Sequence, residues 1–284
     1  MTDFDERLQH LIESALAEDI GDGDHSTLAV IPKDARGKAV LRIKQDGILA
    51  GVAIARQIFS LHRDQTILVQ FKNDGDVMSF GETAFEVETD VQTILERERL
   101  VLNCMQRMSG IATLTHQYVE RLTGYKTRIL DTRKTTPNFR LLEKEAVRIG
   151  GGVNHRFGLY DMIMLKDNHI DYCGGIEKAI VKASDYILNR KPGLKIEIET
   201  RNLDDVREVL RVGRIDRIML DNFTPVQIAE ALKMIDGQFE TEASGGINLD
   251  NITSFAETGV DFISAGSLIH QARSLDLSLK AVLL

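Results

Sequence analysis

Arg133, Lys134, Arg140, Lys144, Arg148, His155, Arg156, Lys166 and His169 all fall within residues 131–169, interleaved with Gly150, Gly151 and Gly152. Glycine lets backbone approach a ligand closely, and an arginine fork grips carboxylate or phosphate through paired hydrogen bonds. That density of cations suits a multiply anionic small molecule. Glu199 and Asp221, further along, are carboxylates suited to a magnesium ion that keeps some of its waters. Two glycine loops, Ser244-Gly245-Gly246 and Ala265-Gly266-Ser267, each lead into a predicted helix, whose first backbone N–H groups favour phosphate. Cations, magnesium carboxylates and phosphate loops together suit phosphoryl or pyrophosphate chemistry, in which the protein mainly positions charge.

Other readings of the same residues stay open at this level. Lys166 could be a Schiff-base lysine, since barrels also host aldolases. His155, His169 and His270, each taken alone, read as packing histidines. Glu199 or Asp221 could be a helix cap or half of an ion pair.

The elements that must position these groups fall into two styles. An amphipathic helix opens at Asp3 or Asp5 and ends near Gly21, and GDGDHST after it reads as a loop without calcium-ligand spacing. Between residues 37 and 91 the segments KAVLRIKQ, ILAGV, TILVQFK and TAFEVET are short and β-rich, with one helix at 52–61 among them. This predicts a separate mixed N-terminal domain. A long helix follows over 93–123, and its Arg97, Arg99 and Arg107 read as a solvated face with intrahelical ion pairs. After Lys126 strands and helices alternate: TRILD, a helix over 138–149 opened by Pro137, DMIMLK, a helix over 176–188, LKIEIET, a helix over 203–212, DRIMLD, a helix over 224–235, FETEAS, a helix over 249–258, VDFISAG, and LIHQA beginning a last helix. At least six βα steps of this kind are the grammar of a parallel barrel. Asp131, Lys166, Glu199, Asp221, Ser244 and Gly266 lie at or just past the C-terminal ends of its strands, the face where barrels place their chemistry.

Bulk properties narrow the class. A chain of 284 residues that is 43% hydrophobic can bury a large core, and its formal net charge of −8 argues against nucleic acid as a partner. Cys104 and Cys173 have no metal or disulfide spacing, and with an acidic N-terminus and no membrane-length apolar run the expectation is a soluble cytoplasmic protein.

Longer motifs carry more than spacing does. DTRKTTP at 131–137, GGGVNHR at 150–156, LKDNH at 165–169, LDNF at 220–223, ASGGI at 243–247 and the closing AGSLIH resemble the quinolinate phosphoribosyltransferase family. ERERLVLNCMQRMSGIAT at 96–113 resembles that family's interdomain helix, and EDIGDGDHST is a weaker echo. The resemblance implies an N-terminal α/β sandwich domain over 1–112, joined by 272–284, and an incomplete, open α/β barrel with parallel strands over 113–271. It implies a homodimer or dimer-based oligomer in which Arg99 is donated across the interface. It implies transfer of phosphoribosyl from 5-phosphoribosyl-1-pyrophosphate to quinolinate with decarboxylation, giving nicotinate mononucleotide, pyrophosphate and CO2 in NAD biosynthesis. Arg133, His155, Arg156 and Lys166 match residues around the quinolinate carboxylates, with Lys134 reaching toward phosphate. Glu199 and Asp221 match carboxylates near the ribose and the Mg2+-bound pyrophosphate, which they meet directly, through water or through the pyrophosphate itself. Ser244, Gly245, Gly246, Gly266 and His270 match the 5-phosphate site. On this account Lys134, Lys166, Glu199 and Asp221 are the catalytic set, and Lys166 is an electrostatic clamp. The chain departs from the family at Val153 and at Asn138, where glycine is common; asparagine also tolerates positive φ, so the turn is expected to survive.

Overall fold

The computed structural model describes residues 2–63 and 65–282. In chain order its elements are α1 (Asp3–Ile20), α2 (His25–Val30), β1 (Arg36–Ile43), β2 (Gly47–Ile48), α3 (Val52–Ser60), β3 (Ile67–Gln70), β4 (Val77–Met78), β5 (Thr83–Asp90) and α4 (Val91–Arg121). There follow β6 (Arg128–Leu130), α5 (Arg140–Ile149), β7 (Ile163–Leu165), α6 (Asp167–Cys173), α7 (Ile176–Arg190), β8 (Ile196–Thr200) and α8 (Leu203–Val212). The chain closes with β9 (Arg217–Asp221), α9 (Pro225–Ile235), β10 (Glu240–Ser244), α10 (Ile252–Ala256), β11 (Phe262–Ser264), α11 (Ser267–His270) and β12 (Leu277–Val282). Two compact units result: Met1–His116 with Thr135–Gly151 and Leu268–Leu284, and Gln117–Lys134 with Gly152–Ser267.

The first unit is built on an antiparallel sheet in the order β12-β1-β5-β3. Period-2 alternation in β1 and β5 buries Ala39, Leu41, Phe85 and Val87, and β12 adds Leu277 and Leu279. The two residues 283 and 284 that end the predicted returning segment lie outside the described residues. The ring of Phe59 on α3 meets Phe85 edge-on at 6.4 Å, and the buried face of α4 supplies Val101, Met105 and Met108. The solvated face expected for Arg97 and Arg107 is corrected here. Arg97 is buried and donates to the Ile58, Phe59 and Leu61 carbonyls at the end of α3, and burial lowers its pKa to about 10. Arg107 donates to the buried Glu143 carboxylate at 2.9 Å and to the Ala272 and Ile269 carbonyls. Helical periodicity marks a polar position but not the remote carbonyls it meets. Arg99 is exposed.

The GDGDHST segment also differs from its expected loop. Asp24 accepts from the Thr27 backbone N–H at 3.1 Å and so caps α2. Pro137 does not open α5: Asn138 adopts φ +61°, the turn expected of it, and the helix starts at Arg140.

The second unit is a six-stranded parallel sheet in the order β6-β11-β10-β9-β8-β7. It is the open α/β barrel read from the sequence, with its gap between β6 and β7, which follow one another in the chain without pairing. Beside that gap Val153 forms a parallel bridge with Leu130, accepting from Asp131 N–H at 3.1 Å and donating to the Ile129 carbonyl at 2.9 Å. Like α2, helix α6 was not read from the sequence: it follows β7 directly, capped by His169, whose Nδ1 accepts from Lys166 N–H at 3.0 Å.

Candidate active site

The open end of the parallel sheet gathers the polar residues. Lys166 follows β7 immediately, Glu199 is the penultimate residue of β8, and Asp221 and Ser244 close β9 and β10. Parallel register pairs Ser244 with Asp221 and Glu199 with Met219, so these side chains emerge from adjacent strands at the same end. Lys166 Nζ donates to Glu199 Oε2 at 3.2 Å, and the Ser244 hydroxyl donates to Asp221 Oδ1. Burial raises the pKa of Glu199; Lys166 opposes this, while Asp221 and Asp167 push it further up. Glu199 and Asp221 resist each other's charge and offer oxygen ligands that fit a hard divalent cation such as Mg2+, with Lys166 on one carboxylate and Asn222 and Ser244 on the other.

The glycine loop after β10 is shaped for close approach. Gly245 has φ +96°, and a Cβ there would sit 2.1 Å from Asn222 Oδ1. Asn222 N–H in turn donates to the Ser244 carbonyl at 2.8 Å. Gly246 follows with φ +64°. The predicted helix over 249–258 is shorter than expected and begins at Ile252, so this loop does not stand at a helix N-terminus; its own left-handed backbone makes the turn. Gly266 leads directly into α11, where the Ser267 hydroxyl lies 2.9 Å from the Tyr118 hydroxyl. His270 ends α11, is exposed, and belongs to the first unit.

The cationic stretch divides. Arg140 donates to Thr135 Oγ1, Arg148 pairs with Glu145 at 2.6 Å, and Lys144 is buried, all three on α5. In the same unit as α5, Glu143 accepts from Thr136 N–H at 2.8 Å. Lys134 is exposed, its N–H donating to Thr132 Oγ1 at 3.1 Å, while Arg133 is half-buried. Arg156 is half-buried and donates to the Met162 carbonyl at 3.2 Å; burial and then Arg133 lower its pKa. The two guanidiniums thus repel each other, a condition that an anion relieves.

His155 is held from every side. Its N–H donates to the buried Asp131 carboxylate at 2.8 Å, its Nδ1 accepts from Arg156 N–H at 2.7 Å, and its Nε2 lies 2.9 Å from Glu197 and 3.4 Å from Glu242. Burial depresses the imidazole pKa and the two carboxylates push it up, while the Arg156 amide opposes the second proton that this would place on Nδ1. That amide contact leaves no room for a proton on Nδ1, so we assign the neutral ring with its proton on Nε2. His155, Glu197 and Glu242 bring ligating atoms within 4.8 Å of one another, yet Arg217 Nη1 already donates to Glu242 at 3.0 Å and offsets part of the cluster's charge.

Two family models cover the chain: the C-terminal domain of quinolinate phosphoribosyl transferase matches residues 111–280, and the N-terminal domain matches residues 24–109. The chain belongs to the quinolinate phosphoribosyltransferase family. Among similar proteins of this family is "Quinolinate phosphoribosyltransferase [decarboxylating] 2, mitochondrial" of Nicotiana glauca, 43% identical over 96% of this chain and 82% of that protein. "Probable nicotinate-nucleotide pyrophosphorylase [carboxylating]" of Bacillus subtilis is 42% identical over 98% of this chain and 94% of that protein. The solved structure of NadC from Streptococcus pyogenes superposes with a TM-score of 0.91 at 40% identity, covering 100% of this chain and 99% of that one. In this quinolinate phosphoribosyltransferase chain, sequence reasoning passed over Glu143, Glu197, Arg217 and Glu242. The one available signal was the doubled acid of IEIE in a segment read as a strand.

Proposed function

We propose that the open end of the parallel sheet carries out the family's reaction, with each side chain in the role its motif suggests. Membership makes the chain an enzyme, a phosphoribosyltransferase of NAD biosynthesis that joins quinolinate to 5-phosphoribosyl-1-pyrophosphate and decarboxylates it. The observation that carries the reading is the row of strand-end groups Lys166, Glu199, Asp221 and Ser244, beside two mutually repelling arginines on the same unit. Arg133 and Arg156 suit the two carboxylates of quinolinate, which their forks can grip in pairs. Ser244, Gly245 and Gly246 suit the 5-phosphate, because the turn is left-handed at both glycines and a side chain at Gly246 would meet nothing within 4 Å. Lys134 is assigned to phosphate charge.

Glu199 and Asp221 would hold Mg2+, directly or through water. When bound, that ion supplies charge neutralisation at the pyrophosphate leaving group. The bond from ribose C1 to pyrophosphate loosens toward an oxocarbenium-like state, and the pyridine nitrogen forms the new bond to C1. Its quaternary ring then accepts the electron pair left when the adjacent carboxylate departs as CO2, and solvent supplies the proton to that carbon. Lys166 needs no carbonyl partner in this sequence of events. Its ammonium balances Glu199 and the anionic reactants, which removes the main support for an aldolase.

A homodimer in which Arg99 reaches the partner's barrel is part of the same reading. It is supported by the exposure of Arg99 and by an exposed apolar row, Ile67, Val69 and Phe71, on and beyond the edge strand β3. Among the described residues no helix is long and apolar enough to cross a membrane. Cytoplasmic residence is supported by two free cysteines, Cys104 and Cys173. Purified protein given phosphoribosyl pyrophosphate, magnesium and either quinolinate or nicotinate tests the assignment. CO2 released with quinolinate, and no product from nicotinate, is the expected result; turnover of nicotinate alone would overturn it.

A further inference from the structure

The inside of the second unit carries charges that the reaction above does not use. Arg217 on β9 stands in register with Glu197 on β8 and Glu240 on β10, so all three project to one face of the sheet, and Glu242 projects to that face one pleat further on. Arg217 Nη2 donates to Glu240 and Nη1 to Glu242, both at 3.0 Å, and its guanidinium lies 4.2 Å from the Phe262 ring. Glu197 and Glu242 are both fully buried. Barrel interiors are ordinarily filled with branched apolar side chains, and replacing a buried ion cluster by apolar residues of similar volume is often neutral or stabilising. Stability alone therefore does not account for two buried acids here. What they touch does: both carboxylates face the Nε2 edge of the His155 ring, whose opposite edge accepts the Arg156 N–H.

We propose that Glu242, Glu197 and Arg217 are positioning residues for the acceptor half of the site: they fix the His155 ring, and through its Nδ1 the main chain that presents Arg156. The inference rests on the reading that Arg156 grips the carboxylates of the acceptor. Turning the imidazole by half a turn would break the contacts at both its edges at once, so the two acids specify one ring orientation. Arg217 holds Glu242 in place from the other side and offsets its charge. Glu240 completes Arg217 from the strand start, where it is 44% exposed.

The test compares Glu242→Gln with Glu240→Gln. Glu242→Gln is expected to raise KM for quinolinate at least tenfold while KM for phosphoribosyl pyrophosphate stays within twofold and kcat at saturation within threefold. Glu240→Gln is expected to leave all three unchanged. Should Glu242→Gln fail to fold, Arg217→Lys, which loses the fork across both acids, takes its place with the same expected split. Equal effects of the two variants, a parallel rise of both KM values, or no effect of either would overturn the proposal, since a purely structural role moves the substrates together. Imidazole signals of His155 in 15N-labelled protein separate this from the functional reading. They are expected to shift in Glu242→Gln whatever the substrate, and unchanged signals would overturn the positioning role. A parent enzyme that ignores quinolinate would sink the functional reading instead.

Discussion

Asp261 is an ionisable group that lies partly out of water and is kept charged by its donors. At the foot of β11 Asp261 accepts from Thr241 N–H at 3.0 Å, from its hydroxyl at 2.7 Å and from Lys126 Nζ at 2.9 Å. Burial pushes its pKa up, but these donors together hold it below the ordinary 3.8. A depressed carboxylate contributes stability that is present above its unfolded value and is lost as pH falls through its folded one. Asp261→Asn should therefore cost about 1 kcal/mol at neutral pH, discounted for an exposed rim position. The gap from the parent should close in urea titrations as pH drops below 3.8. An Asn variant equally destabilised at every pH would show that charge plays no part. Single residues of this kind were hard to read from sequence. Lys166, Glu199, Asp221 and Ser244 were legible because strand ends announce themselves, and a polar residue there has few other uses. Glu197 and Glu242 were not, because nothing local says that Arg217 and a histidine from a distant loop will meet them.

At the scale of elements the informative positions are turns. The loop after β10 depends on Gly245, whose φ of +96° and contact with Asn222 leave no place for a methyl group. Gly245→Ala should raise KM for phosphoribosyl pyrophosphate by tenfold or more, through about 1–2 kcal/mol of strain and a displaced backbone. Quinolinate binding measured by calorimetry should be little altered. Loss of both in equal measure would mean that the loop supports the whole unit rather than the phosphate half. The alternation of strand and helix after Lys126 was legible because periods of 2 and 3.6 switch cleanly, and with it the parallel barrel; its openness followed only from the resemblance to the family. The boundaries of short pieces were less so. The helix α6 is a seven-residue segment, too brief for a periodic signal, and its cap is an unusual one, a histidine nitrogen receiving the lysine amide. Helix α10 shrank to Ile252–Ala256 because Asn248 and Asn251 spend their side chains on the preceding loop: Asn248 Oδ1 accepts from Asp250 N–H and Asn251 Oδ1 from Asn248 N–H.

At the scale of the molecule the proposed sharing of Arg99 predicts complementation. Arg99→Ala and Lys134→Ala subunits, each inactive alone, should regain roughly a quarter of parental activity when mixed in equal amounts and allowed to exchange, since half the dimers are mixed and one of their two mouths is intact. Mixed dimers that form but stay inactive would place Arg99 in its own subunit's site. The sheet of the first unit has a consequence of another kind, for biosynthesis. Its order is β12-β1-β5-β3, so β1 is paired on one side by a strand that the ribosome makes only after the whole second unit. Until β12 emerges, the hydrogen-bonding edge of β1 stands bare, a template for any neighbouring nascent chain. The order of synthesis thus leaves β1 unpaired on that side until β12 is made, and chains interrupted before Leu277 would be the ones that chaperones must hold.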